Sequence, residues 1–409
     1  MFGIKNRYLI ASTTRLPEKG IVRWKFKFEL NAVKGELKNW RMNKNLGALF
    51  ALPSSVVISI WRELLEFNPN NMGDWSDSEL KNLSGTKKIE RKLVKMMVYL
   101  YGGEINEWGG YMASGATEAN IFSAWMGRNL FEKKVKTEQI CLIFSSLAHY
   151  SIDKAANVIG VKSFITPINR SSWVIDIVGL EKRIRELYKK GYKAFLVPLT
   201  LGYTQTGTND NYQEITKLFK KIGKELNILF FVWLDAALNG LILPFTKKNF
   251  YPLKNSFIQT LCVDFHKAGM GVIPSGLILY KKSLIPSIER SMPYISWKDT
   301  TLIGSRSGIP AVASYLTMKM LGRKGFVENI SKLQVEKEKF KRKVSNLFPG
   351  VEIIDDLFGI VISLVSKKKL PDAFISQHGL FAKKHRYVFT KKSELFYIYK
   401  AAFLFKKSL

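Results

Sequence analysis

Through the middle of the chain, short apolar runs alternate with longer amphipathic segments. CLIFSS precedes HYSIDKAANVIG, VKSFITPI precedes GLEKRIRELYKKGY, and AFLVPLTLG precedes NYQEITKLFKKIGKELN, after which come ILFFVWLDA, IQTLCVD and SGLILYK. A brief, uniformly apolar run suits a strand buried on both faces, whereas apolar positions recurring every three or four residues suit a helix with one face on a core. Strands separated by helix-length segments need crossover connections, so the pattern predicts an α/β fold with a mainly parallel sheet flanked by helices. In such sheets chemistry gathers just beyond the strand ends.

Flanking segments read differently. VVISIWRELLEF and TKKIERKLVKMMVYLYG are helical, the second stopped by Gly102 and Gly103. Residues 1–45 are basic, have no clear period, and are expected to form an N-terminal arm or short helices. After Gly308, PAVASYLTMKMLG and ISKLQVEKEKFKRKVSNLF are helical, and short strands such as IVISLVS follow. The expected organisation is an arm over 1–45, a large domain over 46–307 and a smaller C-terminal α+β domain over 308–409.

Composition narrows the function classes. With 46% apolar and 13% aromatic residues among 409, the chain can bury a large core, which excludes a disordered protein. A formal charge of +31 raises the question of nucleic acid or anionic membrane, but the basic residues are scattered as short KK and KKK pieces with no recognisable binding module. A basic solvated surface is the expectation. Cys141 and Cys262 form no CxxC pair, so neither a disulfide framework nor a metal site is expected, and a reducing cytoplasm fits. The N-terminus lacks an apolar stretch long enough for a signal peptide. The most apolar window, Asn227 to Phe245, carries Asp235 near its centre, which favours a buried strand over a membrane span.

Five segments could carry chemistry. Ser114, Gly115 and Thr117 stand before an amphipathic helix, where free backbone N–H groups and the helix dipole suit a phosphate, although an ordinary helix cap would look the same. Asp235 ends an apolar strand and needs a cation or several donors there; a protonated ring nitrogen would serve, as would a simple capping role. His266 and Lys267 follow another apolar run and precede glycines. A partly desolvated lysine there is expected to have its pKa lowered toward neutrality and to attack an aldehyde, while any one of this chain's many lysines could equally be solvated. His149 lies between a strand and a helix, free either to stack on a flat ring or to be held by hydrogen bonds alone. Thr204, among Gly202 and Gly207, lies in another loop after a strand.

Taken in order, SGATEAN, HYSIDKAANVIG, GYTQTGTND, DAALNGLILPF, DFHKAGMGVIPSGLILYK, Pro293-Tyr294 and GSRSG resemble the group II pyridoxal-dependent decarboxylases, most closely the archaeal-type tyrosine/aspartate decarboxylases that are similar to glutamate decarboxylase. The resemblance runs over about residues 46 to 326. It implies a fold-type I, transferase-like architecture, pyridoxal 5'-phosphate as cofactor, an amino-acid substrate, release of carbon dioxide, and a homodimer with a shared active site. By the same resemblance Lys267 would hold the cofactor covalently, Asp235 would pair with its ring nitrogen, and His149 and Ala237 would cover its two faces. Ser114, Gly115, Thr117 and His266 would serve the phosphate, and Thr204 would lie close to the ring. The Gly304-Ser305-Arg306 turn, with Ser305, would approach the site from the partner subunit, where Arg306, if it faces the site, could bind a substrate carboxylate bidentately. Tyr294, His149 and Lys267 are the candidate proton donors. Ala116, Tyr203, Asn239 and Trp233 depart from the family pattern, as does the C-terminus after about Leu370. Another lyase or aminotransferase using the same cofactor, or a binding protein on this scaffold, are the competing readings.

Overall fold

The computed structural model describes residues 22–42, 51–73, 85–292, 297–385 and 396–402. Its helices are α1 (Arg23–Met42), α2 (Ser55–Leu64), α3 (Gly85–Leu100), α4 (Ala116–Phe131), α5 (Ser151–Val158), α6 (Ile177–Lys189), α7 (Tyr212–Leu226), α8 (Leu243–Thr246), α9 (Ile309–Leu347) and α10 (Asp372–His378). Seven strands form the main sheet: β1 (Trp108–Ala113), β2 (Ile140–Ser145), β3 (Lys162–Thr166), β6 (Ala194–Thr200), β7 (Leu229–Asp235), β8 (Ile258–Asp264) and β9 (Gly276–Lys281). Short β4 (Ile168–Asn169) pairs with β5 (Val174–Ile175), and β10 (Arg290–Met292) with β11 (Trp297–Asp299). A second sheet holds β12 (Glu352–Asp355), β13 (Val361–Ser366), β14 (Phe381–His385) and β15 (Phe396–Ala402).

The main sheet runs β1-β9-β8-β7-β6-β2-β3. Strands β3, β2, β6, β7 and β8 are mutually parallel, and β9 lies antiparallel between β8 and β1. Every residue of β2 and β6 is buried, as helices on both faces require. The crossover helices start and stop where side chains satisfy their loose ends. Asp176 accepts from Val178 N–H to open α6, Asn211 accepts from Glu214 N–H to open α7, and Asn227 closes α7 in the left-handed region at φ 52°. The α/β expectation and the mainly parallel sheet are what the structure has.

Helix α9 joins the two sheets. Gly322 breaks its helical geometry (φ 56°, ψ −175°); α9 packs on α2, α3 and α8, and beyond the break Phe326 stacks on Phe245 of α8 while Lys337 reaches the second sheet. There Lys337 is buried, and its ammonium donates to Asp355 Oδ1 at 2.7 Å and to the carbonyls of Asp356 and Gly359. Where the second sheet meets the loop after β6, a side chain at Gly207 would lie 2.5 Å from the Val361 carbonyl oxygen, and Ser363 donates to the Gln205 carbonyl.

Within the segment expected to be an arm or short helices, residues 23–42 form one 20-residue helix. Val22, Phe26, Leu30, Val33 and Leu37 follow a four-four-three-four spacing, a helical seam masked in sequence by Trp24 and Phe28 on the opposite face.

Candidate functional site

Beyond the C-terminal ends of β6, β7 and β8 lies a cavity of about 300 Å³. Its lining is Ser114 to Thr117 at the start of α4, His149 before α5, Thr200 ending β6 with Gly202 and Thr204 beyond it, Asp235 ending β7 with Ala237 beyond it, and Asp264 ending β8 with His266 and Lys267 beyond it. Parallel strands bring these loops to one edge of the sheet, although they span more than 150 positions of sequence.

Lys267 is the central cation. Its Nζ lies 3.0 Å from Asp264 Oδ2, with 17% of the side chain exposed. Burial pushes the ammonium's pKa down, but Asp264 and Asp235 together outweigh it and hold it above its ordinary value of 10.5. The sequence-based expectation of an amine lowered toward neutrality is therefore corrected: it counted the desolvation and missed the second acid. Asp264 also accepts the Ala116 N–H at 2.8 Å through Oδ1, so one buried carboxylate ties the lysine to the first turn of α4.

Asp235 is buried at the end of β7 and accepts from the Ala237 N–H at 3.2 Å and from Asn120 Nδ2 at 2.9 Å. Asn120, on α4, also donates to Ser151 Oγ at 3.1 Å and accepts from Trp233 Nε1 at 2.9 Å. Ser151 lies 2.9 Å from His149 Nδ1 through its hydroxyl. Burial holds the His149 imidazole below its ordinary 6.5 against the pull of Asp235. His266 is lowered likewise, first by burial, and its Nδ1 lies 2.9 Å from the Ser275 carbonyl oxygen.

The start of α4 is open to the cavity because of two glycines. Gly115 is the capping residue, and Gly276 on β9 lets that strand approach: a Cβ on Gly276 would lie 2.5 Å from Gly115 Cα. The positive dipole end of α4 suits an anion, with the Ala116 N–H given to Asp264 and the Ser114 N–H to Glu118. The cavity thus offers an anion cradle, a buried acid for a cation, an imidazole, a small methyl side chain and an amine, which fits a flat phosphorylated aldehyde with a basic ring nitrogen.

Of the residues expected from sequence, Lys267, His149, Asp235, Ala237, Ser114, Gly115, Thr117, Thr204 and His266 line this one cavity. Ser305 and Arg306 do not. Ser305 accepts from Asn70 Nδ2 at 3.2 Å and, with Met112, Arg306 and Pro310, lines a neighbouring cleft that shares Ser114 with the cavity. The Arg306 guanidinium donates to the carbonyls of Met112, Ile303 and Gly73, lies 3.9 Å from the buried Glu90 and covers the Tyr111 ring. Three of its five N–H donors are thus bonded within the fold and its side chain is buried, so on this chain it does not line the cavity. Tyr294 lies outside the described residues.

The departures have structural partners. Tyr203 donates to Asp210 at 2.6 Å, Asn239 donates to the Gly207 carbonyl and Asn209 Oδ1, and Trp233 is the donor to Asn120. Sequence reasoning missed Asp264, Asn120 and Ser151. Asp264 carried the signal already applied to Asp235, an acid at the end of an apolar run. Asn120 carried none, because only the fold lays α4 across β7.

Residues 85–366 match the family model described as the pyridoxal-dependent decarboxylase conserved domain. A tryptophan decarboxylase of Clostridium sporogenes is 31% identical over 65% of this chain and 64% of its own length. A probable L-aspartate decarboxylase of Pyrococcus furiosus is 26% identical over 86% of this chain and 90% of its own. The chain therefore spans just under two thirds of the first of these relatives. The crystal structure of an L-methionine decarboxylase from Streptomyces sp. 590 superposes with TM-score 0.84 at 18% identity, covering 96% of this chain and 95% of that one.

Proposed function

The chain belongs to the pyridoxal-dependent decarboxylase family, and from that membership we propose that it uses pyridoxal 5'-phosphate to decarboxylate an L-amino acid to the corresponding amine and carbon dioxide. The observation carrying this reading is Lys267, 3.0 Å from Asp264, in one cavity with the buried Asp235 and the open start of α4.

Bound pyridoxal phosphate supplies a conjugated electron sink for the bond broken at the substrate's α-carbon. The chain's residues divide the remaining work. Lys267 provides the amine that holds the cofactor. Ser114, Gly115, Thr117 and His266 receive the phosphate, while Asp235 holds a proton on the ring nitrogen by its charge. His149 and Ala237 confine the ring, and Thr204 lies at its edge. Without cofactor, Asp264 holds the Lys267 ammonium in the cavity; to bond the cofactor the amine would have to give up that proton. Aspartate, glutamate and tyrosine are the substrates the sequence resemblance favours. The relatives' names add tryptophan and histidine.

A homodimer is part of the reading. Val22, just before α1, and Phe26, Leu30, Val33 and Leu37 on it form one apolar face and are 40 to 61% exposed, a face suited to a second copy. Ser305, exposed on a single chain, would then approach the partner's cavity. No helix among the described residues is long and apolar enough to cross a membrane, and both cysteines are free and buried, which supports work in a reducing compartment.

The test is an absorbance spectrum of wild type and Lys267→Ala with pyridoxal phosphate, followed by carbon dioxide detection with aspartate, glutamate, tyrosine, tryptophan and histidine. A visible band lost in the variant, with gas from one substrate, is expected. No band in the wild type would sink the proposal.

A further inference from the structure

The polar groups behind the cavity have donor and acceptor roles that determine one another. An indole N–H only donates, so Trp233 Nε1, 2.9 Å from Asn120 Oδ1, fixes which end of the amide faces the indole. The Asn120 amino group then faces Asp235 Oδ2 at 2.9 Å and Ser151 Oγ at 3.1 Å, and the flipped amide would set donor against donor and oxygen against carboxylate. Ser151 Oγ thereby receives a hydrogen from Asn120 and has its own to give to His149 Nδ1, 2.9 Å away. A second donor points at the same nitrogen: the Ser151 backbone N–H, 3.3 Å from Nδ1. A backbone N–H cannot accept, so Nδ1 must carry the lone pair. Asn120, Ser151 and Trp233 are fully buried, so water does not compete for these bonds.

We propose that Trp233, Asn120 and Ser151 hold His149 as the neutral tautomer protonated on Nε2, and that Asn120 is a positioning residue shared by His149 and Asp235. Among the described residues no protein group bonds Nε2, so its N–H is the donor His149 presents to whatever occupies the cavity. One amide thus aims two functions: it leaves Asp235 an acceptor toward a ring cation and makes His149 a donor toward the substrate side. Burial that keeps the imidazole neutral supports this assignment. The use of that N–H toward an amino-acid substrate rests on the decarboxylase reading; the tautomer does not.

The test uses the cofactor-loaded full-length protein labelled with 15N-histidine. The chain has four histidines, so a His149→Asn spectrum assigns the signals by subtraction. At pH 7.5 the wild type is expected to show a pyridine-type Nδ1 and a pyrrole-type Nε2 at His149, with under roughly a tenth of the other tautomer, a ratio equivalent to about 1.4 kcal/mol. Asn120→Asp puts an acceptor beside Ser151, draws the hydroxyl hydrogen away and should raise the minor tautomer at least fivefold. Ser151→Ala, a smaller perturbation that keeps the backbone donor, should raise it less. A wild type protonated mainly on Nδ1, or an Asn120→Asp ratio equal to wild type, overturns the proposal. Carbon dioxide release measured on the same samples separates the two claims. The expected tautomer without gas from any amino acid would sink the decarboxylase reading alone, and gas with Nδ1 protonated would sink the relay alone.

Discussion

Asp264→Asn isolates the charge pair at the centre of the cavity. In the cofactor-free protein, asparagine keeps a carbonyl oxygen for the Ala116 N–H, so the main loss is the 3.0 Å contact with the Lys267 ammonium. A buried ammonium that loses its nearest partner can shed its proton, and that sets a ceiling on the destabilisation. From an ordinary lysine value of 10.5, deprotonation at about 1.36 kcal/mol per unit costs about 3.4 kcal/mol at pH 8 and about 2 kcal/mol at pH 9. The sign follows from linkage. In the wild type the folded pKa is raised, so the stability from Lys267 is fully present below 10.5 and lost only as pH rises through the folded value. In the variant the folded value drops below 10.5, the unfolded chain binds more protons, and stability climbs with pH. Urea denaturation at pH 7.5, 8.3 and 9.1 should therefore show a wild-type advantage that shrinks by about 1 kcal/mol per step. A constant difference across that range would mean that Asp235 alone keeps the lysine charged, and the account of its raised pKa would be wrong.

Three further expectations test other parts of the structure. Arg306→Ala removes the donor to three carbonyls and the cation beside Glu90, so it should cost about 3–5 kcal/mol of stability while the KM of the folded enzyme for its amino acid stays within about twofold; a large KM rise at unchanged stability would restore a substrate role. Gly276→Ala drives a Cβ against Gly115 and should weaken pyridoxal phosphate binding about tenfold, or about 1.4 kcal/mol, whereas Gly304→Ala meets nothing within 4 Å and should leave affinity unchanged; titration of the visible band compares them. Burial pushes the Asp210 carboxyl up to about 6 from its ordinary 3.8, so the folded state holds a proton that the unfolded chain has released, and this group's contribution to stability falls as pH rises between those values. The advantage of wild type over Asp210→Asn should accordingly decline by about 2–3 kcal/mol from pH 4 to pH 6, and an advantage that grows instead would refute the raised carboxyl.

Much of this protein was legible in the order of its residues, and for identifiable reasons. Uniformly apolar runs such as those of β2 and β6 can exist in water only if both faces are covered, so alternation with amphipathic helices left few folds besides a parallel sheet between helix layers. The same logic marked the cavity, because Asp235, His266, Lys267 and Thr204 sit where strands end, and strand ends of parallel neighbours share one edge. The seam of α1 was present in sequence but hidden by apolar residues on the opposite face. What only the tertiary structure decided are the relations across long separations. Arg306 looked available beside glycines, yet three carbonyls and Glu90 from distant segments claim it. Lys267 looked like a desolvated amine, yet two acids from different strands keep it charged. Asn120 looked like one more polar residue on a helix, yet the crossing of α4 over β7 and α5 makes it the bond between Trp233, Asp235 and Ser151. Periodicity is a local property and can be read from neighbours in sequence. Hydrogen-bond partners and charge balance are set by which segments share a buried, low-dielectric space, and only the folded chain brings those segments together.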